Sequence, residues 1–263
     1  MTQTLAATMA ERGYVSPVRV LDEAGAAEHR EALEAAEAQL GPLHYRDKVH
    51  TVLSSAYELC THPTVLDAVE HFIGPDILLY NSTYIIKEPG AASHVSWHQD
   101  LTYWGLVDDD AQVSMWLALA PATLESGCME MLPGSHLSGR VEHRPTDDAD
   151  NVLLLGQQID EVDTSTAVPA TLEPGEASFH HGWTIHASRP NVSDDRRIGL
   201  NVQFLAPHNR SRSETPQSAM LVRGTDPHGF YAVDDAPSAN LAPDAIARWE
   251  ALDAAMKQGF QTQ

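Results

Sequence analysis

Residues 77–88, ILLYNSTYIIKE, mark the point where this chain changes texture. The run is short, rich in β-branched and aromatic residues, and closed by the turn cluster EPGAAS at 88–93. Two runs of the same kind follow, VSMWLALAPA at 113–122 and RIGLNVQFLAP at 197–207. The turn clusters LESG, LPGSH, LEPGE and RPNVSDD punctuate the sequence between these runs. Such a pattern reads as antiparallel strands. Upstream, residues 22–39, DEAGAAEHREALEAAEAQ, are rich in alanine and glutamate and predict a helix that Gly41 stops. Residues 63–73, PTVLDAVEHFI, predict a second helix, with Pro63 in its first turn and Gly74 at its end. Residues 242–258, APDAIARWEALDAAMKQ, predict a last one. The fold class is therefore mainly β with flanking helices, a sandwich or barrel with helical support.

The 263 residues fit one large domain, 1–263, with no internal repeat or dividing linker. Its expected parts are helical support over about 1–75, a strand core over about 77–207 and the closing helix. Residues 140–172, acidic and dotted with Thr and Ser, read as a long insertion between strands. The formal charge of −21, with Lys48, Lys87 and Lys257 as the three lysines, offers no electrostatic footprint for nucleic acid or an anionic membrane. Two cysteines, Cys60 and Cys128, make no disulfide framework, which points to a reducing cytoplasm. The first residues, MTQTLAATMAERGYVS, lack the basic start and apolar centre of a signal peptide, and no run approaches the ~20 apolar residues of a membrane span. A soluble cytoplasmic protein acting on a small molecule is expected, with its oligomeric state open.

The chemistry concentrates in WHQD, which holds His98 and Asp100, and in HASRPNVSDDRR, which starts at His186 and ends at Arg197. Alternate residues of a strand share a face, so His98 and Asp100 can reach one ion while Gln99 points away. With His186 from a distant segment, two imidazoles and a carboxylate occupy one face of iron(II) and leave three positions open. Zinc tolerates the same donors, so ligand type alone leaves the metal open. Arg197 supplies a planar fork for a carboxylate. Arg196 is adjacent, and strand alternation lets only one of the two face a pocket. Trp97 and the LTYW that follows Asp100 make an aromatic wall for a dry site.

WHQD, then SGCMEMLPGSH at 126–136, then HGWTIHAS, PN, S and RRIGLN within 181–201 resemble the phytanoyl-CoA dioxygenase family of non-haem iron(II)/2-oxoglutarate oxygenases. The likeness covers about residues 77–207. It implies a double-stranded β-helix core, that is, a cupin-like jelly roll. It also implies His98, Asp100 and His186 as iron ligands and as the catalytic centre. Arg197 matches the arginine that grips the distal carboxylate of 2-oxoglutarate, and Ser188 a hydroxyl that helps hold it. Trp116 corresponds to a residue lining the cosubstrate pocket. Tyr80 and Asn81 sit where an upstream strand contributes pocket contacts, and Lys87 is a further candidate.

The implied reaction accounts for these residue types. The keto-acid end of 2-oxoglutarate fills two of the open iron positions and dioxygen the third. Decarboxylation then gives succinate, CO2 and an oxidant that takes hydrogen from a nearby C–H bond. Because Asp100 is kept, hydroxylation or another oxidation is expected rather than halogenation, for which a small residue at that position would leave room for chloride; ring closure, desaturation and epimerisation stay open, since substrate placement decides among them. Two other readings use the same residues. A zinc hydrolase or isomerase leaves Arg197 without a purpose and would work without oxygen. A non-catalytic binding barrel would bind ligand without consuming cosubstrate.

Several residues are read more plainly. His180 and His181 are expected to pack or to support a metal ligand, His136 to stabilise a turn, and Asn191 and Ser193 to hold the loop that aims Arg197. Tyr103, Trp104 and Trp183 are divided between the substrate site and the core. No role is assigned to His94, His208 or His228. The acidic residues Asp147, Asp148, Asp150, Asp160, Glu161 and Asp163 are expected on a solvated loop.

Overall fold

The fold is described from a computed structural model that covers residues 4–106, 111–153, 156–213 and 216–261. The chain opens with α1 (Leu5–Arg12), β1 (Tyr14–Arg19) and α2 (Glu23–Leu40). Asp22 caps α2 by accepting the Gly25 N–H at 2.8 Å, and Gly41 closes it with a positive φ. Helices α3 (Ser54–Cys60) and α4 (Pro63–Ile73) follow. Next come β2 (Ile77–Lys87), β3 (Val95–His98), the single turn α5 (Leu101–Trp104), β4 (Gln112–Ala118) and β5 (Met129–Met131). The segment after them carries β6 (Arg144–Pro145), β7 (Gln157–Gln158) and β8 (Val168–Ala170). The last strands are β9 (Glu176–His180), β10 (His186–Ser188), β11 (Arg197–Leu205), β12 (Ser218–Arg223) and β13 (Ala232–Val233), before α6 (Pro243–Gln261).

A seven-stranded sheet in the order β1-β9-β4-β11-β2-β12-β13 faces a four-stranded sheet in the order β3-β10-β5-β8, the jelly-roll arrangement that the sequence implies. Strand alternation divides the large sheet into two faces. Tyr84, Ile86, Leu117, Ile198 and Leu200 pack outward against Leu33 of α2, Leu59 of α3 and Val69 of α4. This is the main core, and each such buried aliphatic side chain contributes about 1.5–3 kcal/mol. The alternate residues point between the sheets. There Trp116 and Ala118 meet Met129, Met131 and Ala170 of the small sheet, and the polar residues of β2 and β11 line a cavity.

Three boundaries differ from the sequence reading. The stretch 1–75 is not purely helical, because β1 forms an edge of the large sheet against β9. Its register shifts between Val15 and Val18, where Pro17 cannot donate to a ladder, so the strand is tolerated only as an irregular edge. The sheet also continues past residue 207 through β12 and β13. Finally, β8 lies within the expected insertion yet belongs to the small sheet. The rest of that segment runs beside β3, with Ile159 N donating to Trp97 O at 2.8 Å and Val152 N to His94 O at 3.0 Å. Leu154 and Leu155 of the insertion lie outside the described residues. Among the described residues no helix is long and apolar enough to cross a membrane.

Candidate active site

The small sheet brings the three metal-type donors together. His98 ends β3 and His186 begins β10, and these antiparallel strands put the two residues opposite each other. Asp100 follows at the start of α5, where the chain turns back over the strand end. His98 Nε2 lies 3.3 Å and His186 Nε2 3.6 Å from Asp100 Oδ1, and the ligating atoms of all three lie within 4.8 Å of one another. Each imidazole is oriented through its other nitrogen. His98 Nδ1 is 2.9 Å from Ser96 O, and His186 Nδ1 is 3.0 Å from Thr184 O. A carbonyl can only accept, so both rings donate through Nδ1 and turn Nε2, the atom a metal would take, toward Asp100.

The second oxygen of Asp100 is held from the large sheet. Ser114 Oγ donates to Oδ2 at 2.7 Å, and His180 Nε2 lies 3.0 Å from the same atom. Ser114 and His180 are register partners on β4 and β9. Burial works against the Asp100 carboxylate, but the His186, His180 and His98 imidazoles outweigh it and hold the group well below the usual carboxylate range. Burial, with His98 beside it, holds the His186 imidazole well below its ordinary value. An ionised Asp100 carboxylate and a His186 imidazole disfavoured as a cation suit a divalent metal.

Toward the opposite end of the cavity, β11 and β2 place Arg197 across from Lys87. Arg197 is 1% exposed; one Nη donates to Gly127 O at 3.0 Å, and Nε has no partner among the described residues. Its guanidinium lies 5.0 Å from the centre of a Trp116 ring. Burial brings its pKa down to about 10, so it stays charged at neutral pH. Lys87 Nζ donates to Ser188 Oγ at 2.7 Å, to Ser188 O at 3.1 Å and to Arg189 O. Ser188 accepts from the lysine and so keeps its own O–H to donate. Arg196 points out of the sandwich into ion pairs with Glu37 and Glu88. The loop before β11 is tied as expected: Asn191 Nδ2 donates to Lys87 O and Asp195 O, and Ser193 bonds Asn191 Oδ1.

The cavity is lined by His98, Asp100, His186, Arg197, Ser188, Trp116 and Asn81 among others. Lys87 is not part of the lining and reaches it through Ser188, and Tyr80 also lies outside it. Tyr80 sits at a register shift of β2 against β11 and turns toward Tyr231 and Gln217, away from the cavity wall. Tyr103 and Trp104 line the cavity, whereas Trp183 is absent from its lining and packs behind them in the apolar cluster that also holds Leu101 and Trp104. His180 supports Asp100, and the acidic residues at 147, 148, 150, 160, 161 and 163 are exposed.

Sequence reasoning missed Tyr45, Asp47, Thr83, Asn201 and Gln203, which also line the cavity. Thr83, Asn201 and Gln203 share strand parity with Asn81 and Arg197, a period-2 signal that could have found them. Tyr45 and Asp47 come from a loop with Tyr45 and Lys48 at positive φ, held by α6 through Trp249 Nε1 to Asp47 O at 2.7 Å. It also missed Gly199, where a Cβ would stand 1.9 Å from Trp116 Cζ2.

The sequence profile of phytanoyl-CoA dioxygenase (PhyH) matches residues 9–199, a span that includes every one of these donors and Arg197. This chain belongs to the phytanoyl-CoA dioxygenase family. Within the family it is 31% identical over 159 residues to the rat protein phytanoyl-CoA dioxygenase domain-containing protein 1, covering 59% of this chain and 52% of that one. It is 28% identical over 159 residues to a probable alpha-ketoglutarate-dependent hypophosphite dioxygenase of Stutzerimonas stutzeri, covering 60% and 55%. The chain thus spans about half the length of these curated relatives. Among solved structures it is similar to the apo form of the non-heme monooxygenase ThoJ, at 30% identity and a TM-score of 0.87, covering 98% of each chain.

The residues present fit the metal and cosubstrate of iron(II)/2-oxoglutarate oxygenases. The donor set is mixed imidazole and carboxylate with correctly turned nitrogens. The far end of the same cavity holds a buried arginine with an orphaned Nε, which suits a carboxylate.

Proposed function

We propose that this chain is an iron(II)- and 2-oxoglutarate-dependent dioxygenase that hydroxylates an unactivated C–H bond of a small molecule. The observation that carries this reading is the sharing of one cavity by a His-Asp-His donor set and a buried arginine unpaired with any carboxylate among the described residues. A buried cation without a counter-anion is costly, and an incoming dicarboxylate removes that cost. A zinc hydrolase would have no use for it.

His98, Asp100 and His186 would hold the iron, and Arg197, with Ser188 and Lys87, the distal carboxylate of 2-oxoglutarate. Bound iron(II) and 2-oxoglutarate supply the oxidising chemistry: one atom of O2 enters succinate as CO2 leaves, and the other enters the substrate as a hydroxyl. The chain's own part is placement. The carbonyls of Ser96 and Thr184 fix the two rings, Ser114 and His180 leave Asp100 Oδ1 free toward the histidines, and Trp116 supports the Arg197 fork. Tyr103, Trp104, Val95, Met129 and Leu153 shield the donors from bulk water.

The test is anaerobic titration of the metal-free protein with iron(II) and 2-oxoglutarate, monitoring the visible metal-to-ligand charge-transfer band of the chelate. The band should form, and it should disappear in His98→Ala. Succinate release should then require iron(II), O2 and 2-oxoglutarate together. A folded, iron-loaded protein that gives no band overturns the proposal.

A further inference from the structure

The floor of the cavity is a grid set by strand register. Arg197 pairs with Lys87, Gly199 with Ile85, Asn201 with Thr83 and Gln203 with Asn81. On the other side of β11, Asn201 pairs with Trp116 and Gln203 with Ser114, and Ser114 with His180. Successive rows stand two residues apart, about 6.6 Å along the strands. The row of Ser114 and His180 holds Asp100 and so marks the level of the metal-type donors. The Arg197 backbone lies three rows away, and its guanidinium sits 5.0 Å from the ring of Trp116, which belongs to the row next to the donor level. The donor level also contains Gln203 and Asn81, and the next row contains Asn201 and Thr83. These four side chains form a second polar field, separate from the basic end.

That field is under-used. Gln203 is 8% exposed and Thr83 5%, both line the cavity, and Gln203 Oε1 and Thr83 Oγ1 have no hydrogen-bond partner among the described residues. Tyr103 Oη, on the opposite wall, is likewise buried without a partner among them. Asp47 joins from the α6-clamped loop. Its Oδ1 accepts from Asn81 Nδ2 at 2.8 Å, which turns the asparagine's donor away from the cavity and adds a buried carboxylate to its lining. Asn81 Oδ1 is taken by Lys48 N at 2.9 Å. What remains for a ligand includes the Gln203 amide oxygen, the Asp47 carboxylate and the Thr83 and Tyr103 hydroxyls as acceptors, beside the donors of the Gln203 and Asn201 amides; the carboxylate is the group that can only accept. Buried polar atoms left unmatched are costly, so this wall favours a molecule that supplies their partners.

We infer that the prime substrate is a small polar molecule whose N–H or O–H groups donate to Gln203, Thr83 and Asp47 at the metal-level end of the cavity. This rests on the oxygenase reading for the identity of the site as a substrate site. It excludes a substrate that offers this wall only hydrocarbon, because Gln203 Oε1 and the Asp47 carboxylate would then be desolvated without compensation. It also gives the reaction a fixed point. Donor groups held by Gln203 and Asp47 set which carbon of the substrate faces the donors at His98 and His186.

The test uses the full chain, loaded anaerobically with iron(II) and 2-oxoglutarate and monitored by the charge-transfer band. Matched probes are added: cyclohexylamine, cyclohexanol and methoxycyclohexane, three ring compounds that differ in donor capacity. Binding is read as a shift of the band and as a rise in the thermal unfolding midpoint. The amine or the alcohol should bind and the ether should not; preference for the amine identifies the Asp47 carboxylate as the main partner, and preference for the alcohol identifies Gln203 and Thr83. Asp47→Asn should weaken the amine, or Gln203→Leu and the near-isosteric Thr83→Val the alcohol, by roughly tenfold, the equivalent of one lost hydrogen bond. Equal binding of the ether, no binding of either donor probe, or unweakened binding of the preferred probe in all of its matching variants overturns the inference. Loss of the band in the unmodified protein would instead strike the oxygenase reading itself.

Discussion

Arg197 and Lys87 face each other across β11 and β2 as two buried basic groups, and Lys87 is joined through Ser188 to the strand that carries His186. Burial, and then the Arg197 charge, bring the Lys87 ammonium down to about 6. Above that pH the free protein holds Lys87 mostly neutral, with two N–H donors shared among Ser188 Oγ, Ser188 O and Arg189 O. A dicarboxylate bound at Arg197 favours the charged form, so binding takes up a proton. The affinity for 2-oxoglutarate should therefore fall as pH rises from about 6 to 8, with a limiting slope of about tenfold in Kd per pH unit. Titrating the charge-transfer band at saturating iron(II) across that range measures the slope. Lys87→Met should flatten it, and an equally steep profile in that variant would rule out Lys87 as the titrating group.

The two adjacent arginines should behave in opposite ways. Arg197→Met removes the buried fork and should raise the Kd for 2-oxoglutarate by roughly 30- to 150-fold, or about 2–3 kcal/mol, as expected for a charge-assisted hydrogen bond. Arg196→Met breaks outer ion pairs with Glu34, Glu37 and Glu88 and should leave that Kd within about twofold, with a stability cost of about 0–1 kcal/mol. Calorimetric titration of both variants decides the matter, and comparable losses in the two would contradict the inward placement of Arg197.

The contrast between these neighbours also shows what could be read from the chain. Strand parity leaves room for one inward arginine, and the HxD spacing with a later histidine points to the donor set, because both signals are local and periodic. Tyr80 is expected in the cavity from the family resemblance alone; strand alternation gives it the face opposite Asn81, and there it meets Tyr231 and Gln217. Tyr45 and Asp47 were invisible for a different reason. They reach the cavity through a non-repetitive loop fixed by tertiary contacts, with Asp47 N donating to Asp253 Oδ1 at 2.8 Å and Arg46 stacked 4.1 Å from a Trp249 ring. β1 was hidden by Pro17, which weakens a strand pattern everywhere except at an edge.

Support of Asp100 by Ser114 and His180 should be measurable as metal affinity. Ser114→Ala and His180→Phe each remove one partner from Oδ2 while leaving His98, Asp100 and His186 in place. Partners of this kind commonly tune metal binding by about 10–100-fold. The Kd for iron(II), measured anaerobically by competition with a chelator, should rise by that amount in each variant. No change in either would mean that the carboxylate is oriented by the backbone of α5 alone.

Lys48 supplies a prediction about stability rather than catalysis. Its buried Nζ donates to Tyr80 O, to Ser218 O at 2.7 Å and to Asp234 Oδ2 at 2.9 Å, pinning β2 to β12 and the chain beyond β13. Asp234→Ala leaves a buried ammonium without its counter-charge and should cost about 3–5 kcal/mol. The double variant Lys48→Met with Asp234→Ala should recover much of this loss, because no uncompensated charge remains. Denaturant unfolding of the single and double variants checks the sign of the coupling, and additive losses would refute it.

Gly199 connects the sheet floor to cosubstrate binding through Trp116. A Cβ there would meet the indole at 1.9 and 2.1 Å, inside any tolerated contact, and Trp116 is itself the ring beside the Arg197 guanidinium. Gly199→Ala must therefore displace either β11 or the indole. The strand is paired on both sides, with β2 and β4, so the indole is the part that moves. Overpacking of this kind costs about 1–3 kcal/mol, which corresponds to a midpoint lowered by several degrees for a chain of this size. The affinity for 2-oxoglutarate should fall as well, because the arginine loses its support. Trp116→Phe removes the clashing part of the ring, so Gly199→Ala combined with Trp116→Phe should be more stable than Gly199→Ala alone. Thermal unfolding and cosubstrate titration of the four proteins in this cycle give the coupling directly. If the second substitution fails to rescue the first, the glycine is needed for the backbone of β11 and not for the ring that packs on it.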